Sequence, residues 1–455
     1  MRNSMNMTEG SIFKNLIYFA IPVLIGNIFQ QLYNIADTAI IGNILGDKAF
    51  AAVGASAPVY GLLIGFAGGM TNGFSVVIAR YFGAQDEKTL RRSVALTYIL
   101  SGITALIITA AGLIGLSPLM KALKTPDDII DQTQSYMRII IMFSAVTIAY
   151  NMLSGMMRAI GNSRTPLYIL VASTFINVGL DFLFVKGFAM GVEGAAYATV
   201  ISQGISVVIC FIYVIKKCDF LVFRKSELAF DRSLVSDLST TGISMGLMFA
   251  IVSIGSVILQ SAVNSFGTGT VTAHTAGRKI DEIFMLPLST FSLSASTFVS
   301  QNYGAGKIDR VKKGIRCSIL IAEVWSAFAL VATLLLRVPF VKALSGTTDS
   351  EVVSTACRYL IWNVPFFCVL SVLLVLRSSL QGVGRKLVPI SGSVVELALK
   401  IAAVAYFAPH FGYFGICICE PVIWIACAII VVVDYTRFIK RSASMKPVEK
   451  GSVAV

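Results

Sequence analysis

Residues 158–169 read RAIGNSRTPLYI, and residues 381–392 read QGVGRKLVPISG, 223 positions further along the chain. In both stretches the fourth residue is glycine, and a proline follows it five residues later. A second pair recurs at nearly the same interval, because RYFGAQDEKTLRRS at 80–93 matches QNYGAGKIDRVKKG at 301–314. Self-similarity at a fixed long interval indicates that the chain contains two copies of one folding unit.

The composition places both copies in a membrane. Of the 455 residues, 56% are hydrophobic and only 13% are charged, whereas soluble domains are roughly 45–50% apolar and about 25% charged. A helix needs about 20 mostly apolar residues to cross the hydrocarbon layer. Twelve segments satisfy this requirement, at approximately 13–38, 51–78, 93–115, 135–157, 166–186, 192–215, 234–263, 271–299, 315–336, 357–379, 388–408 and 412–435.

The predicted fold is therefore an all-α polytopic membrane protein with twelve transmembrane helices in two six-helix lobes. An even number of helices per lobe makes the two copies point the same way, as a parallel repeat related by an axis along the membrane normal. The predicted domains are an N-lobe at 1–215, a cytoplasmic linker at 216–233, a C-lobe at 234–436 and a basic tail at 437–455.

Positive charge predicts the orientation of the chain. With the N-terminus inside, the inner segments hold 26 Lys and Arg residues and the outer loops hold 6. Cytoplasmic loops are the ones that carry such an excess, so both termini are predicted to be cytoplasmic. The net charge of +13 then faces anionic lipid headgroups, and no nucleic-acid partner is needed to explain it.

One carboxylate, that of Asp181, lies inside a predicted transmembrane span. In FINVGLDFLF at 175–184, Asp181 lies in an apolar run, with Asn177 four residues earlier on the same helix face. A charged side chain at the bilayer centre costs about 2.5–3.5 kcal/mol on insertion scales, which makes it a functional candidate. Asp37, near the outer end of the first span, lies at a depth compatible with that of Asp181, and the sixth span offers Thr199. We expect these four side chains to converge.

Two carboxylates that lie together in a low dielectric repel each other, so such a pair can bind a proton. The Asp, Asn and Thr oxygens can equally replace the water shell of sodium, and the sequence leaves both ions open. At the repeat interval of 223 residues, Asp181 corresponds to Val404 and Asn177 to Lys400. The acidic pair exists in one copy only, which predicts that the coupling cation binds within the N-lobe.

The C-lobe spans carry charges of their own. Glu396 and Lys400 are four residues apart in the favourable order for a helical ion pair. Lys279 and Asp281 lie in the eighth predicted span and Glu420 lies in the twelfth. We predict that these charges form neutralising ion pairs facing a central cleft. A role in substrate binding or as a second proton site is the alternative.

Several motifs together resemble those of the MATE (multidrug and toxic compound extrusion) transporters, with a DinF-like N-lobe. They are IPVLIGNIFQQLYNIADTAIIG at 21–42, RYFGAQ at 80–85, RAIGNSRTP at 158–166, NVGLD at 177–181, STFVSQNYGAGK at 296–307, and the Glu420, Pro421 and Trp424 pattern. The resemblance implies two lobes in a V shape and the export of organic, often cationic, compounds in exchange for protons or sodium.

The same resemblance assigns roles to residues. Asp37, Asn177, Asp181 and Thr199 match the cation-coupling residues of the N-lobe in this family. The first span also contains Pro22, which removes a helix hydrogen bond and permits a bend. The resemblance suggests that this helix bends when the site is occupied. Gln30 and Asn34 follow on the same helix and are predicted to face the cleft.

These features predict a monomeric transporter of small molecules in the bacterial cytoplasmic membrane, with no cofactor and no transition-metal site. A flippase for lipid-linked sugars is the alternative among related families. A membrane-embedded enzyme is the alternative from another class, but the sequence lacks a histidine cluster, a catalytic Asp pair or a nucleophile motif.

The orientation is testable by labelling cysteines introduced singly into a background without the eight native cysteines. Cysteines at positions 218–230 should react only from the cytoplasmic side, because the linker is inside. Cysteines at positions 121–128 should react only from outside. The opposite labelling pattern would overturn the orientation inferred from charge.

Overall fold

The computed structural model describes residues 5–123, 125–223, 227, 231–346 and 349–444. The predicted linker and tail lie partly outside these residues, at 224–226, 228–230 and 445–455. Within the described ranges the α-helices are α1 (Ile12–Leu45), α2 (Asp47–Ala84), α3 (Glu87–Ala122), α4 (Asp127–Met142), α5 (Ser144–Ala159), α6 (Arg164–Asp181), α7 (Gly191–Lys217), α8 (Arg232–Asn264), α9 (Thr268–Gly304), α10 (Ile308–Ser345), α11 (Ser350–Asn363), α12 (Phe367–Gly382), α13 (Leu387–Ala402), α14 (Ala408–Phe411), α15 (Tyr413–Cys417) and α16 (Cys419–Ser444).

These helices account for the predicted spans. In the described part of the chain, eleven helical stretches are long and apolar enough to cross a membrane, and the bent pair of α4 and α5 makes a twelfth. Some spans combine two elements, because π-helical turns at Phe182–Gly187 and Ala403–Phe407 extend α6 and α13. The predicted all-α class with twelve spans is confirmed.

The fourth predicted span, 135–157, is present as two helices rather than one. It breaks at Phe143, where the axes of α4 and α5 differ by 52°. No proline or glycine causes the break, but Thr109 of α3 inserts a hydroxyl there. That hydroxyl donates to the carbonyl oxygen of Ile141 at 3.3 Å and lies 2.9 Å from the hydroxyl of Ser144. Side chains that enter the helical hydrogen-bond ladder are a common cause of such kinks.

Two compact units make up the chain. Ile21–Ala250 belongs to the first unit, and Thr8–Ala20 belongs with the residues from Ile251 onward to the second. The boundaries therefore fall inside α1 and α8, so each of these helices contributes to both units.

In the first unit, α8 begins in close contact with α2. A Cβ atom added at Gly73 would lie 2.6 Å from the Cα of Gly242, and one added at Gly69 would lie 2.6 Å from a backbone oxygen of α8. Arg80 and Asp237 join the same two helices through an ion pair of 3.1 Å. Small residues permit this backbone approach, and Gly65, one turn earlier, has no neighbouring atom within 4 Å.

In the second unit, the start of the chain packs on α9 and α10. The hydroxyl of Ser294 donates to the carbonyl oxygen of Leu16 at 3.0 Å. Lys307 donates to the carbonyl oxygen of Thr8 at 2.9 Å, and Arg310 donates to that of Glu9 at 2.7 Å. These bonds attach the segment before α1 and the first turns of α1 to the residues around the end of α9 and the start of α10.

The close approach of α2 and α8 predicts opposite effects for two alanine substitutions. Gly73→Ala should lower the free energy of unfolding by about 1–3 kcal/mol, because the methyl group overpacks a backbone contact. Gly65→Ala should leave it unchanged or raise it by up to about 1 kcal/mol through helix propensity. Thermal unfolding of the purified variants in one detergent makes the comparison, and equal melting temperatures would contradict it.

Candidate functional site

The two acidic residues singled out in the first unit lie side by side. Asp37 projects from α1 and Asp181 is the last residue of α6, and their carboxyl groups are close neighbours. Both side chains are buried, with exposed fractions of 6% and 0%. The π-helical turn that follows Asp181 changes the backbone hydrogen bonding where the carboxyl group sits. Such turns are frequent at functional sites.

This acidic pair lacks the partners that buried charges need. Among the described residues, no hydrogen-bond donor reaches either oxygen of Asp181 or Oδ1 of Asp37. The amide of Asn177, one turn before Asp181, is also fully buried without a partner at either atom. Ionised carboxylates only accept hydrogen bonds, so the pair has room for a proton or a small cation and gains from binding one.

Thr199 reaches the cluster through a residue that the sequence reasoning missed. The hydroxyl of Tyr33 donates to Oγ1 of Thr199 at 3.1 Å, and both side chains are buried. Tyr33 and Tyr136 each interact electrostatically with both carboxylates. Tyr33 precedes Asp37 by four residues, and that helical spacing was the available signal. Nothing in the local sequence distinguishes Tyr136.

A cavity of about 270 Å³ opens beside this cluster within the first unit. Its lining residues are all uncharged and come from α1, α2, α5, α6 and α7. They are Gln30, Tyr33, Asn34, Tyr60, Thr147, Tyr150, Asn151, Leu170, Ser173, Thr174, Gln203 and Ser206. Gln30 donates to Asn34 across one turn of α1 at 3.4 Å. Tyr33 contributes to both the cavity wall and the acidic cluster.

Pro22 lies inside α1, two residues past the boundary at which the helix passes from the second unit to the first. A proline inside a helix cannot donate the usual backbone hydrogen bond and weakens the helix locally. Pro22 precedes Gln30, Tyr33, Asn34 and Asp37, so a change of bend at this point moves them together.

The second unit holds a different kind of charged cluster. The ammonium of Lys400, on α13, lies 3.1 Å from Oε1 of Glu396 and 3.5 Å from Oε1 of Glu420. Lys400 is only 2% exposed. Arg278 of α9 also approaches Glu420 at 3.5 Å, and Arg377 of α12 approaches Glu396 at 3.9 Å.

The predicted charges on α9 do not share one environment. Lys279 pairs with Glu282 at 3.0 Å, and both side chains are largely exposed. Asp281 is buried on another face of the helix beside the Tyr359 hydroxyl, and its Oδ1 has no hydrogen-bond partner in the described structure. Across the described residues, no group of three His, Cys, Asp or Glu side chains is placed to hold a metal ion.

Twelve spans, an internal repeat and a cavity beside buried acids define a polytopic membrane transporter. The sequence matches the MatE family over residues 22–183 and 245–407, one match in each repeat. The chain belongs to this family, and it is a transporter rather than an enzyme.

Individual relatives agree with this assignment. The chain is 29% identical to the probable multidrug resistance protein YpnP of Bacillus subtilis over 309 residues, which is 67% of this chain and 68% of YpnP. It is 27% identical to the probable multidrug resistance protein YoeA of the same organism over 319 residues, 69% of each chain. A MOP superfamily transporter from Pyrococcus furiosus shares the fold with a TM-score of 0.87, covering 97% of this chain and 98% of that one at 23% identity.

The link between the cavity and the acidic cluster can be tested at Tyr33. Tyr33→Phe removes the hydroxyl that donates to Thr199, so the free energy of unfolding should fall by about 1 kcal/mol. Tyr60→Phe is the matched control, because Tyr60 lines the same cavity with no hydrogen bond from its hydroxyl in the described structure. Thermal unfolding should separate the two variants, and equal losses would argue against a special role for the Tyr33 hydroxyl.

Proposed function

We propose that this transporter is a secondary antiporter that exports organic, often cationic, compounds in exchange for protons or sodium by alternating access. The observation that carries the proposal is the buried pair of Asp37 and Asp181 with the unpartnered amide of Asn177. A permanently empty pair would leave repelling charges in a low dielectric. Binding and release of one cation at Asp37, Asn177, Asp181 and Thr199 supplies the coupling step.

The uncharged cavity next to this pair is the proposed substrate site. Its three tyrosines offer aromatic faces, which attract organic cations, and its amide and hydroxyl groups orient polar substituents. A site without its own charge accommodates varied compounds more readily than one that demands a fixed ion pair. Export of drug-like molecules is also consistent with the multidrug resistance proteins that the chain resembles.

Coupling in this proposal runs through α1. The helix carries Asp37 at the cation cluster and Gln30, Tyr33 and Asn34 at the cavity wall. Cation binding at Asp37 and a bend at Pro22 then change the cavity that the substrate occupies. The cation and the substrate need not touch, because coupling requires only that each favours a different conformation.

The proposed setting is the bacterial cytoplasmic membrane, with both termini in the cytoplasm and one chain as the working unit. The excess of Lys and Arg in the inner segments supports this orientation. The first unit encloses both the cavity and the cation cluster within one chain, which is consistent with a monomer.

The coupling role predicts the effect of two neutral substitutions. Asp37→Asn and Asp181→Asn keep the side-chain size but cannot exchange a proton and bind sodium weakly. Each should abolish uphill substrate export from proteoliposomes while the purified protein keeps binding substrate and stays folded. Asp309→Asn is the matched control, because that carboxylate is 94% exposed in the first turn of α10 and should be dispensable.

The coupling ion is identified by imposing a proton gradient and a sodium gradient separately on the same vesicles. Export driven by one gradient and not by the other names the ion. If the two neutral variants still concentrate substrate at the wild-type rate, the coupling site lies elsewhere, and the acids of the second unit become the candidates.

A further inference from the structure

The two repeats build their charged clusters from corresponding helices. In the first unit the cluster uses α1, α6 and α7, the first, fifth and sixth spans of that repeat. In the second unit the carboxylates that hold Lys400 lie on α13 and α16, the fifth and sixth spans of its repeat, and the lysine stem packs on α8, the first. Arg278 of α9 and Arg377 of α12 add two bases that have no counterpart in the described part of the first cluster. At the interval of 223 residues, Lys400 occupies the position of Asn177.

The position of the ammonium is that of a bound cation. It lies between a carboxylate one turn earlier on its own helix, Glu396, and a carboxylate on the sixth span, Glu420, at 3.1 and 3.5 Å. With 2% exposure it is shielded from solvent. In the first unit the corresponding helices present carboxylate and amide groups, and in the described part of the chain no Lys or Arg forms an ion pair with them.

The neighbouring helix is shaped to admit this lysine. A Cβ atom added at Gly255 of α8 would lie 2.7 Å from Cδ of Lys400, so any larger residue would displace the stem. At the interval of 222 residues that relates the first span to the seventh, Gly255 corresponds to Tyr33. The first repeat thus has a tyrosine at the sequence position where the second has the glycine that admits the lysine stem.

Charge counting shows what the ammonium neutralises. The acids of the second unit near this site are the buried Glu420 and Asp281 and the partly buried Glu396. The bases that face them are Lys400, Arg377 and Arg278. His274 contacts Tyr413 and Tyr359 in the same region. Glu396 and Glu420 share the Lys400 ammonium, so removing it takes an ion-pair partner from both carboxylates.

We propose that the Lys400 ammonium is a built-in replacement for an exchangeable cation in the second unit. The second repeat keeps a cation position between its carboxylates but fills it permanently from within the chain. Only the first unit then exchanges a cation, so the chain has one exchangeable cation position although it has two repeats.

The first test restores the residue type of the other repeat. Lys400→Asn opens a polar space between Glu396 and Glu420, and Lys400→Met fills the same space without charge. The probe is the melting temperature of purified protein in about 100 mM sodium chloride or choline chloride. For Lys400→Asn, we expect the melting temperature to rise in sodium chloride, relative to choline chloride, by about 2–4 °C more than that of wild type. For Lys400→Met, we expect the same rise as for wild type. The first-unit site is the same in all three proteins, so its response cancels.

The second test replaces the missing group itself. Lys400→Ala leaves a cavity beside two carboxylates, and ethylammonium chloride supplies a short cation of the same chemistry. The melting temperature of Lys400→Ala should be about 2–4 °C higher in ethylammonium chloride than in equimolar choline chloride. Wild type should show no such difference. The control variant Lys279→Ala, which removes an exposed ammonium from α9, should show none either.

Two results would overturn the proposal. One is a lack of response in Lys400→Asn to sodium together with a lack of response in Lys400→Ala to ethylammonium. The other is a melting temperature of Lys400→Met equal to that of wild type, because the ammonium would then contribute nothing beyond packing. If Lys400→Asn fails to accumulate, the response of Lys400→Ala to ethylammonium decides the question. If Lys400→Ala fails to accumulate, the response of Lys400→Asn to sodium decides it.

Discussion

An ionised side chain inside the hydrocarbon layer is stable only beside an opposite charge, a proton or a bound ion. Both units are organised by this requirement, and they satisfy it differently. The second unit pairs its acids with lysine and arginine from three helices, α9, α12 and α13. The first unit leaves Asp37 and Asp181 without a basic residue, although both are buried. In the proposed function, a proton or a sodium ion is the opposite charge that this pair binds and releases.

The contrast explains how one repeat can be specialised without a change of fold. The helices, the glycine-to-proline turns and the π-helical turn after the fifth span recur in both halves. What differs is a few side chains at corresponding positions, such as Asn177 against Lys400. Substitution at so few sites changes the electrostatics of a unit while its packing, which involves most residues, stays the same.

The sequence predicted the spans, the repeat and the proximity of the polar residues, because hydropathy and helical spacing are local signals. The ion pair of Glu396 and Lys400 was visible for the same reason. The kink at Phe143 could not be predicted from the local sequence, since its cause is Thr109 on another helix. Tyr33 with Thr199 was missed because tertiary packing alone brings the two together. Lys400 and Glu420 were both among the predicted charges, but only the structure shows that they pair with each other. Gly65, Gly69 and Gly73 are equally spaced in the sequence, so the sequence did not show that Gly65 alone has no close neighbour.

The unpartnered amide of Asn177 has a further consequence. An amide carries an acceptor oxygen and a donor nitrogen of nearly equal size, and a half-turn of its terminal group exchanges them. The amide can turn its oxygen toward a metal ion, and it can turn its nitrogen toward a carboxylate that has no other partner. A lysine at this position offers donors only and suits a single electrostatic state. In the proposed function, the asparagine can therefore serve both the cation-bound and the cation-free state of the first unit without a change of side-chain volume.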